Sequence, residues 1–244
     1  MQHELVKTGI RGLDAMLYGG IPKNNQIIIT GGPGAGKTLL AFEFLFRNAK
    51  MGEAGLFVAL EEEPQRIISN AKIAFSEIAD EIDAQIESGM LTVAGIDPTE
   101  DLFTGSEEGD FAFGKFVAKI EDLLEGKKVS RVVIDSASVL EILVKEHIRF
   151  RKAMLSLVNN FRRMGITSIL TSEMPNPERS KLKFKPEFFT YDGIITLYQI
   201  EKETQRLLAI EIIKMRGTKH SFVTTPYDIT PEGFRIFSVE ERIS

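Results

Sequence analysis

One eight-residue run, Gly31-Gly32-Pro33-Gly34-Ala35-Gly36-Lys37-Thr38, constrains the fold of this chain more than any other feature, because it has the spacing G-x-x-x-x-G-K-[ST]. It follows the apolar stretch Gln26-Ile27-Ile28-Ile29-Thr30 and opens into Leu39-Leu40-Ala41-Phe42-Glu43-Phe44-Leu45. Strand, glycine loop and helix therefore stand in the order a phosphate loop demands. Glycines let successive N–H groups curl around phosphate oxygens, and the positive end of the following helix dipole faces the same anion. Lys37 is the residue expected to reach the β- and γ-phosphates, and the Thr38 hydroxyl the one expected to ligate Mg²⁺. A chance glycine-rich turn carries little weight against eight matching residues in this context. The motif implies a bound nucleoside triphosphate.

The rest of the chain alternates in the same way. Apolar runs bounded by turn residues predict strands over 26–30, 55–60, 91–94, 131–134, 166–171 and 193–198. Apolar spacing near three and four predicts helices over 37–51, 64–75, 109–124 and 148–164 between them. Such alternation predicts an α/β fold, a mostly parallel sheet with helices on both faces. Past Gly193 the pattern changes, because residues 194–198 and 207–213 flank the polar stretch 201–206. This reads as an antiparallel hairpin that finishes the sheet. No internal repeat, low-complexity tract or linker divides residues 1–244, so one domain is expected. Two stretches read as mobile loops. Residues 97–110 carry Pro98, Gly105, Gly109 and a run of carboxylates, and residues 174–185 carry two prolines with Arg179, Lys181, Lys183 and Lys185.

Composition narrows the chemistry. The absence of Cys excludes disulfides, thiolate metal sites and cysteine nucleophiles, and fits a reducing compartment. The start of the chain, Met1 to Lys7, has no apolar signal core, and no stretch approaches the ~18 consecutive apolar residues of a membrane span. A cytoplasmic protein without membrane insertion is expected. The three histidines, His3, His147 and His220, have no ligand-like pairing, which argues against a transition-metal centre. A formal net charge of -5 excludes a global basic field for nucleic acid, while leaving room for a local patch.

A phosphate loop does not hydrolyse anything quickly by itself; the metal needs a second carboxylate and the attacking water needs orientation. Arg131-Val132-Val133-Ile134-Asp135 is an apolar strand ending in an acid, the form of a Walker B strand, so Asp135 is the candidate for holding Mg²⁺ through water. A second apolar run, Leu56 to Leu60, leads into Glu61-Glu62-Glu63-Pro64. One of these acids could polarise the lytic water, or all three could favour the N-terminus of the helix that Pro64 begins; the residues alone leave both readings open. Lys214 and Arg216, in the segment Lys214-Met215-Arg216-Gly217-Thr218-Lys219-His220, alternate on one face of a strand and could point at one anion. Taken alone, they read better as charges guarding an edge strand against aggregation.

Together these segments resemble single-domain homologues of the circadian-clock ATPase KaiC within the RecA superfamily. The resemblance spans nearly the whole chain. It is carried by Thr8-Gly9-Ile10-Arg11-Gly12-Leu13-Asp14, Gly19-Gly20-Ile21-Pro22, the phosphate loop, Phe57 to Pro64, Ile134-Asp135-Ser136, Leu170-Thr171-Ser172-Glu173, Lys214 to His220 and Tyr227 to Phe234. It implies a RecA-like P-loop fold and a Mg²⁺-dependent ATPase that forms a ring, usually a homo-hexamer, with ATP or ADP at each subunit boundary. Residues 31–38 and Leu39 then hold phosphates, and Glu61 and Glu62 match the catalytic glutamate pair. Lys214, Met215 and Arg216 reach the neighbour's nucleotide, while Thr218 and His220 line the neighbouring pocket. Thr230 matches one half of an adenine-side Thr-Asp pair, whose second half is Pro231 here. Phe188 and Phe189 stand where the clock protein's phosphoacceptors would, which argues against clock-type autokinase activity.

Two other readings stay open. RecA relatives also include DNA-handling recombinases, and the basic stretch 174–185 with Phe184 would supply single-strand phosphate and stacking contacts, against an acidic chain total. An ATP-gated scaffold that recruits a signalling partner would need the same pocket and little turnover.

Overall fold

The computed structural model describes residues 4–98, 109–144, 146–174, 184–202 and 205–237. A short antiparallel pair, β1 (Leu5–Val6) and β2 (Ile21–Pro22), encloses helix α1 (Leu13–Met16). The nucleotide half follows as β3 (Gln26–Gly31), α2 (Lys37–Lys50), β4 (Gly55–Ala59), α3 (Pro64–Ala74), α4 (Ala79–Glu87) and β5 (Leu91–Gly95). Next come α5 (Gly109–Leu124), β6 (Arg131–Asp135), α6 (Ala137–Leu143), α7 (His147–Arg163), β7 (Thr167–Glu173) and a 3-10 turn (Pro186–Thr190). The chain closes with β8 (Gly193–Lys202), β9 (Gln205–Met215), β10 (Thr225–Thr230) and β11 (Gly233–Ile236).

Nine strands form one sheet in the order β11-β10-β9-β8-β3-β7-β6-β4-β5. The six from β8 to β5 are parallel, and β9, β10 and β11 add antiparallel strands at one edge. Because helices cover both faces, β3, β4 and β6 are buried at every position rather than at alternate ones. On β3, Ile27 and Ile29 join a core with Phe42, Phe44 and Phe46 of α2, whereas Ile28 faces a second core with Phe116 of α5 and Phe161 of α7. The same division recurs on β4, where Phe57 enters the first core and Leu56 and Val58 the second. A parallel crossover needs a covering helix, and the period-two strand delivers one side chain to each layer in turn.

The predicted strands and the four long helices are present, with ends shifted by two residues at most except at β8, which runs four residues past its predicted end to Lys202. The hairpin of β8 and β9 is correct, but it does not finish the sheet. Two more antiparallel strands follow it, with Thr225 opposite Ile210 and Pro226 opposite Ala209. These strands are short, and β10 carries Pro226, which can donate no ladder bond and weakens the strand signal. Helices α1, α4 and α6, of 4, 9 and 7 residues, are also additions. Each is shorter than the window over which a 3.6-residue period declares itself. The two loop stretches, 97–110 and 174–185, lie largely outside the described residues. Among the described residues no helix is long and apolar enough to cross a membrane.

Although β3 and β4 are consecutive in sequence, β7 and β6 lie between them in the sheet. The chain leaves β3 toward one side while its neighbour leaves toward the other, which opens a crevice at the carboxyl end of β3.

Phe57 is fully buried, and its ring centroid lies 6.2 Å from that of Phe42. Phe57→Ala is expected to lower unfolding free energy by about 3–5 kcal/mol in urea titration. A loss below about 1 kcal/mol would mean that α2 and β4 do not share a packed core.

Candidate functional site

The crevice is built around the loop from Gly31 to Lys37. Gly34 and Gly36 have φ of 75° and 82°, a region that favours glycine, and they curl the backbone ahead of α2. The first turn of α2 holds no acidic residue, and no side chain caps it. Its orphan N–H groups therefore face the loop, which suits an anion. Gly31 is required for another reason: a Cβ there would lie 2.5 Å from the Leu197 carbonyl oxygen on the adjacent strand.

Lys37 Nζ donates to the Gly32 carbonyl at 3.0 Å, folding its ammonium over the loop. Burial pushes its pKa down, against the opposing pull of Glu173, Asp135 and Glu61. The Thr38 hydroxyl donates to Asp135 Oδ2 at 2.9 Å, and the Thr171 hydroxyl donates to Oδ1 of the same carboxylate. Three elements, α2, β6 and β7, thus converge on one buried acid. Burial pushes the pKa of Asp135 up, while the two hydroxyl donors and Lys37 pull it down. The peptide from Asp135 to Ser136 is cis. Thr38 and Asp135 offer only oxygen donors, the set that suits Mg²⁺. Among the described residues no group of three or more His, Asp or Glu forms a metal cluster. A divalent ion here would complete its shell with phosphate oxygens and water.

The three carboxylates after β4 separate. Leu60 N donates to the Asp135 carbonyl at 2.8 Å, which carries the β4–β6 pairing one step further and swings Glu61 toward the crevice, where its carboxylate accepts from the Ser136 hydroxyl. Glu62 turns outward to Arg66, 3.1 Å away, and to Asn70. Glu63 caps α3 by position, without a side-chain hydrogen bond. Of the predicted glutamate pair, the structure brings Glu61 to the loop and leaves Glu62 beside it.

Lys214 and Arg216 stand elsewhere. Met215 pairs with Gly193, which in turn pairs with Ile27 near the start of β3, so the segment lies at the foot of the sheet. Lys214 Nζ donates to the carbonyls of Tyr191 and Phe189 at 2.6 and 3.4 Å, and Arg216 Nη2 donates to the Phe189 carbonyl at 3.3 Å. Burial and the neighbouring Arg216 push the pKa of Lys214 down. The two cations do converge, but Met215 between them is buried in the core. Thr218 and His220 follow, the imidazole tilted against the exposed ring of Phe222 with centroids 4.7 Å apart. Thr230 closes the β10–β11 turn, its hydroxyl donating to the Gly233 carbonyl at 2.8 Å, and Leu39 is half-buried against the first core.

Several site residues carry no role in the sequence reading. Thr171 and Glu173 terminate β7, and an acid at the end of a strand beside the phosphate-loop strand was the available signal. Tyr227 and Gln199 gave none. The Tyr227 hydroxyl donates to the Ala35 carbonyl at 2.5 Å and the Gln199 amide to the Pro33 carbonyl at 3.0 Å, bracing the loop from strands added late in the chain.

The family profile described as "ATPase: KaiC" matches residues 6–241. The chain belongs to the KaiC family of ATPases. A UPF0273 protein of Methanopyrus kandleri is 34% identical over 247 residues, covering 97% of this chain and 93% of that protein. A UPF0273 protein of Pyrococcus horikoshii is 32% identical over 237 residues, covering 95% and 93%. The circadian clock oscillator protein KaiC of Parathermosynechococcus lividus is 30% identical over 232 residues, covering 95% of this chain but 42% of the clock protein. This KaiC-family chain therefore spans less than half of that relative. The crystal structure of a KaiC-like protein from Pyrococcus horikoshii superimposes with a TM-score of 0.80 at 28% identity, covering 97% of this chain and all of the other. Family and fold agree on a nucleotide-binding ATPase of RecA-like architecture.

Folded Asp135 holds its proton above the ordinary value of 3.8. Across that window the folded chain binds more protons than the unfolded one, so stability of the nucleotide-free protein falls as pH rises through it. Asp135→Asn removes this dependence. Thermal unfolding should therefore show the variant gaining on the wild type as pH rises above the ordinary carboxylate value of about 4, and a difference independent of pH would refute the assignment.

Proposed function

We propose that this chain binds Mg²⁺-ATP and hydrolyses it slowly as a homo-hexameric ring, each nucleotide lying between two subunits, with hydrolysis driving a change of conformation. The observation that carries the reading is the separation of two cation sets within one subunit. Lys37 stands at the carboxyl end of β3, whereas Lys214 and Arg216 stand at its foot. Along β3, Gly31 lies four residue steps from Ile27, level with Met215, and three from Ile28, level with Lys214, which at about 3.3 Å each is roughly 10–13 Å, beyond the reach of a side chain. Cations that cannot serve their own phosphates are well situated to serve those of the next copy.

In this scheme the amides of residues 32–38 and Lys37 hold the phosphates, and Thr38 and Asp135 hold the metal. Mg²⁺ held there would supply positive charge against the negative charge that develops during phosphoryl transfer. Glu61, oriented by Ser136, is the member of the glutamate pair that faces the crevice and would polarise water, and Glu62 would join it by releasing Arg66. Arg216 and Lys214 of one subunit stabilise transition-state charge in the next, which couples turnover to assembly. Thr218 and His220 line the same boundary, and Thr230 flanks the base. The outward turn of Glu62 favours slow turnover, and with it a role in which the nucleotide state times the recruitment of a signalling partner.

Single-stranded DNA is the weaker reading. Phe184, the stacking ring it would need, packs against Phe188 in the second core, and Lys185 is paired with Glu141.

Three measurements test the scheme. Glu61→Gln and Glu62→Gln should both retain ATP binding, and Glu61→Gln should lose turnover by about 10²-fold or more; full activity in both would remove the pair from water activation. Specific ATPase activity should rise with protein concentration in step with oligomer mass, and activity indifferent to assembly would end the shared-site reading. Lys37→Ala and Arg216→Ala, each inactive alone, should recover activity when mixed, because some boundaries then combine an intact loop with an intact cation.

A further inference from the structure

The foot of the sheet holds a buried carboxylate that the hydrolysis scheme leaves unused. Asp192, just before β8, is 7% exposed. Its Oδ2 accepts the N–H of Gln26 at 3.0 Å and Nη2 of Arg162 at 2.8 Å, while Oδ1 lies 3.6 Å from Nη1 of Arg216. Main-chain bonds fix it on both sides. Asp192 N donates to the Gln26 carbonyl and Arg216 N donates to the Asp192 carbonyl, both at 2.8 Å. Lys214 and Arg216 are also tied by hydrogen bonds to the carbonyls of Phe189 and Tyr191. Three cations therefore surround one carboxylate, which leaves the cluster with excess positive charge.

Exposure separates the members by role. The Arg216 side chain is 55% exposed and that of Asp192 10% exposed, so an outward cation stands on an inward anchor. An arginine at a strand end has about 2 kcal/mol of rotamer entropy to lose when it is held in one pose. An anchored carboxylate narrows that freedom before any ligand arrives. At 3.6 Å the pair is loose, so the guanidinium can exchange its carboxylate for a phosphate oxygen at small cost.

We propose that Asp192, itself held by Arg162 and the Gln26 N–H, is the positioning residue that presents Arg216 to the nucleotide of the neighbouring subunit. The proposal rests on the trans-acting role given to Arg216 above. Its effect appears in the neighbour's site, although the carboxylate bonds to the strand that carries its own phosphate loop. A merely structural Asp192 would steady β3 and act on its own loop instead.

Mixing experiments separate the two. Asp192→Asn alone should bind ATP as the wild type does and lose kcat by about tenfold to a hundredfold, the scale set by misplacing a reacting group. Mixed with Lys37→Ala, which keeps its cations, it should recover activity; mixed with Arg216→Ala it should not. The reverse pattern, recovery with Arg216→Ala and none with Lys37→Ala, would mean that Asp192 acts on its own loop and would overturn the proposal. The pair Lys37→Ala with Arg216→Ala is the control: if it does not recover, the trans reading itself fails. Arg162→Met, which leaves the carboxylate in place and removes a half-exposed partner, should follow the Asp192→Asn pattern with a smaller loss. It decides the question if Asp192→Asn does not fold.

Discussion

A buried carboxylate, that of Asp135, is the interaction around which the nucleotide end of the sheet is arranged. It accepts from Thr38 at the start of α2 and from Thr171 on β7, so the helix that follows the phosphate loop is tied to β7, which pairs with β3, and to β6 beyond it. Taking this charge out of water is costly, and burial raises its pKa for that reason. Two hydroxyl donors and the Lys37 ammonium offset part of the cost. The remainder is an electrostatic cost that the folded chain carries at this carboxylate.

The late strands return to that site from the other side. Tyr227 donates to the Ala35 carbonyl, and Ile229 and Phe234 press close to Gly36, where a Cβ would meet them at 2.9 and 3.1 Å. Glu43, fully buried on α2, accepts the Phe234 N–H at 2.7 Å and Nε of Arg47 at 3.0 Å. Gly233 is obligatory at this contact, since a Cβ would lie 2.1 Å from Glu43 Oε1. The β10–β11 hairpin thus clamps α2 and the loop together. At the opposite end, the pairing that runs Ile27, Gly193, Met215 puts the second cation set at the foot of the same central strand. One sheet thereby separates the group proposed to bind phosphate from the groups proposed to act on a neighbour's.

Much of this was legible before the structure. The phosphate loop, the Walker B strand and six parallel strands follow from local order and periodicity, because each strand is built on an apolar stretch bounded by turn residues and each long helix repeats its apolar face. The short helices α1, α4 and α6 were not legible, since a few residues carry no measurable period. The role of Glu61–Glu62–Glu63 stayed undecided for a related reason. Three consecutive acids look alike in sequence, and only the bond from Leu60 N to the Asp135 carbonyl turns the first inward while Arg66 holds the second outward.

The sequence by itself determined the ligand class and the family, since phosphate recognition is done by backbone amides and adjacent residues whose spacing is local. Tertiary structure decided everything that depends on separation across the sheet. It set Lys214 and Arg216 away from their own loop, joined Asp192 to Gln26 and Arg162, and brought Tyr227 back to Ala35. These partners lie far apart along the chain, and only the order of strands brings them together or holds them apart.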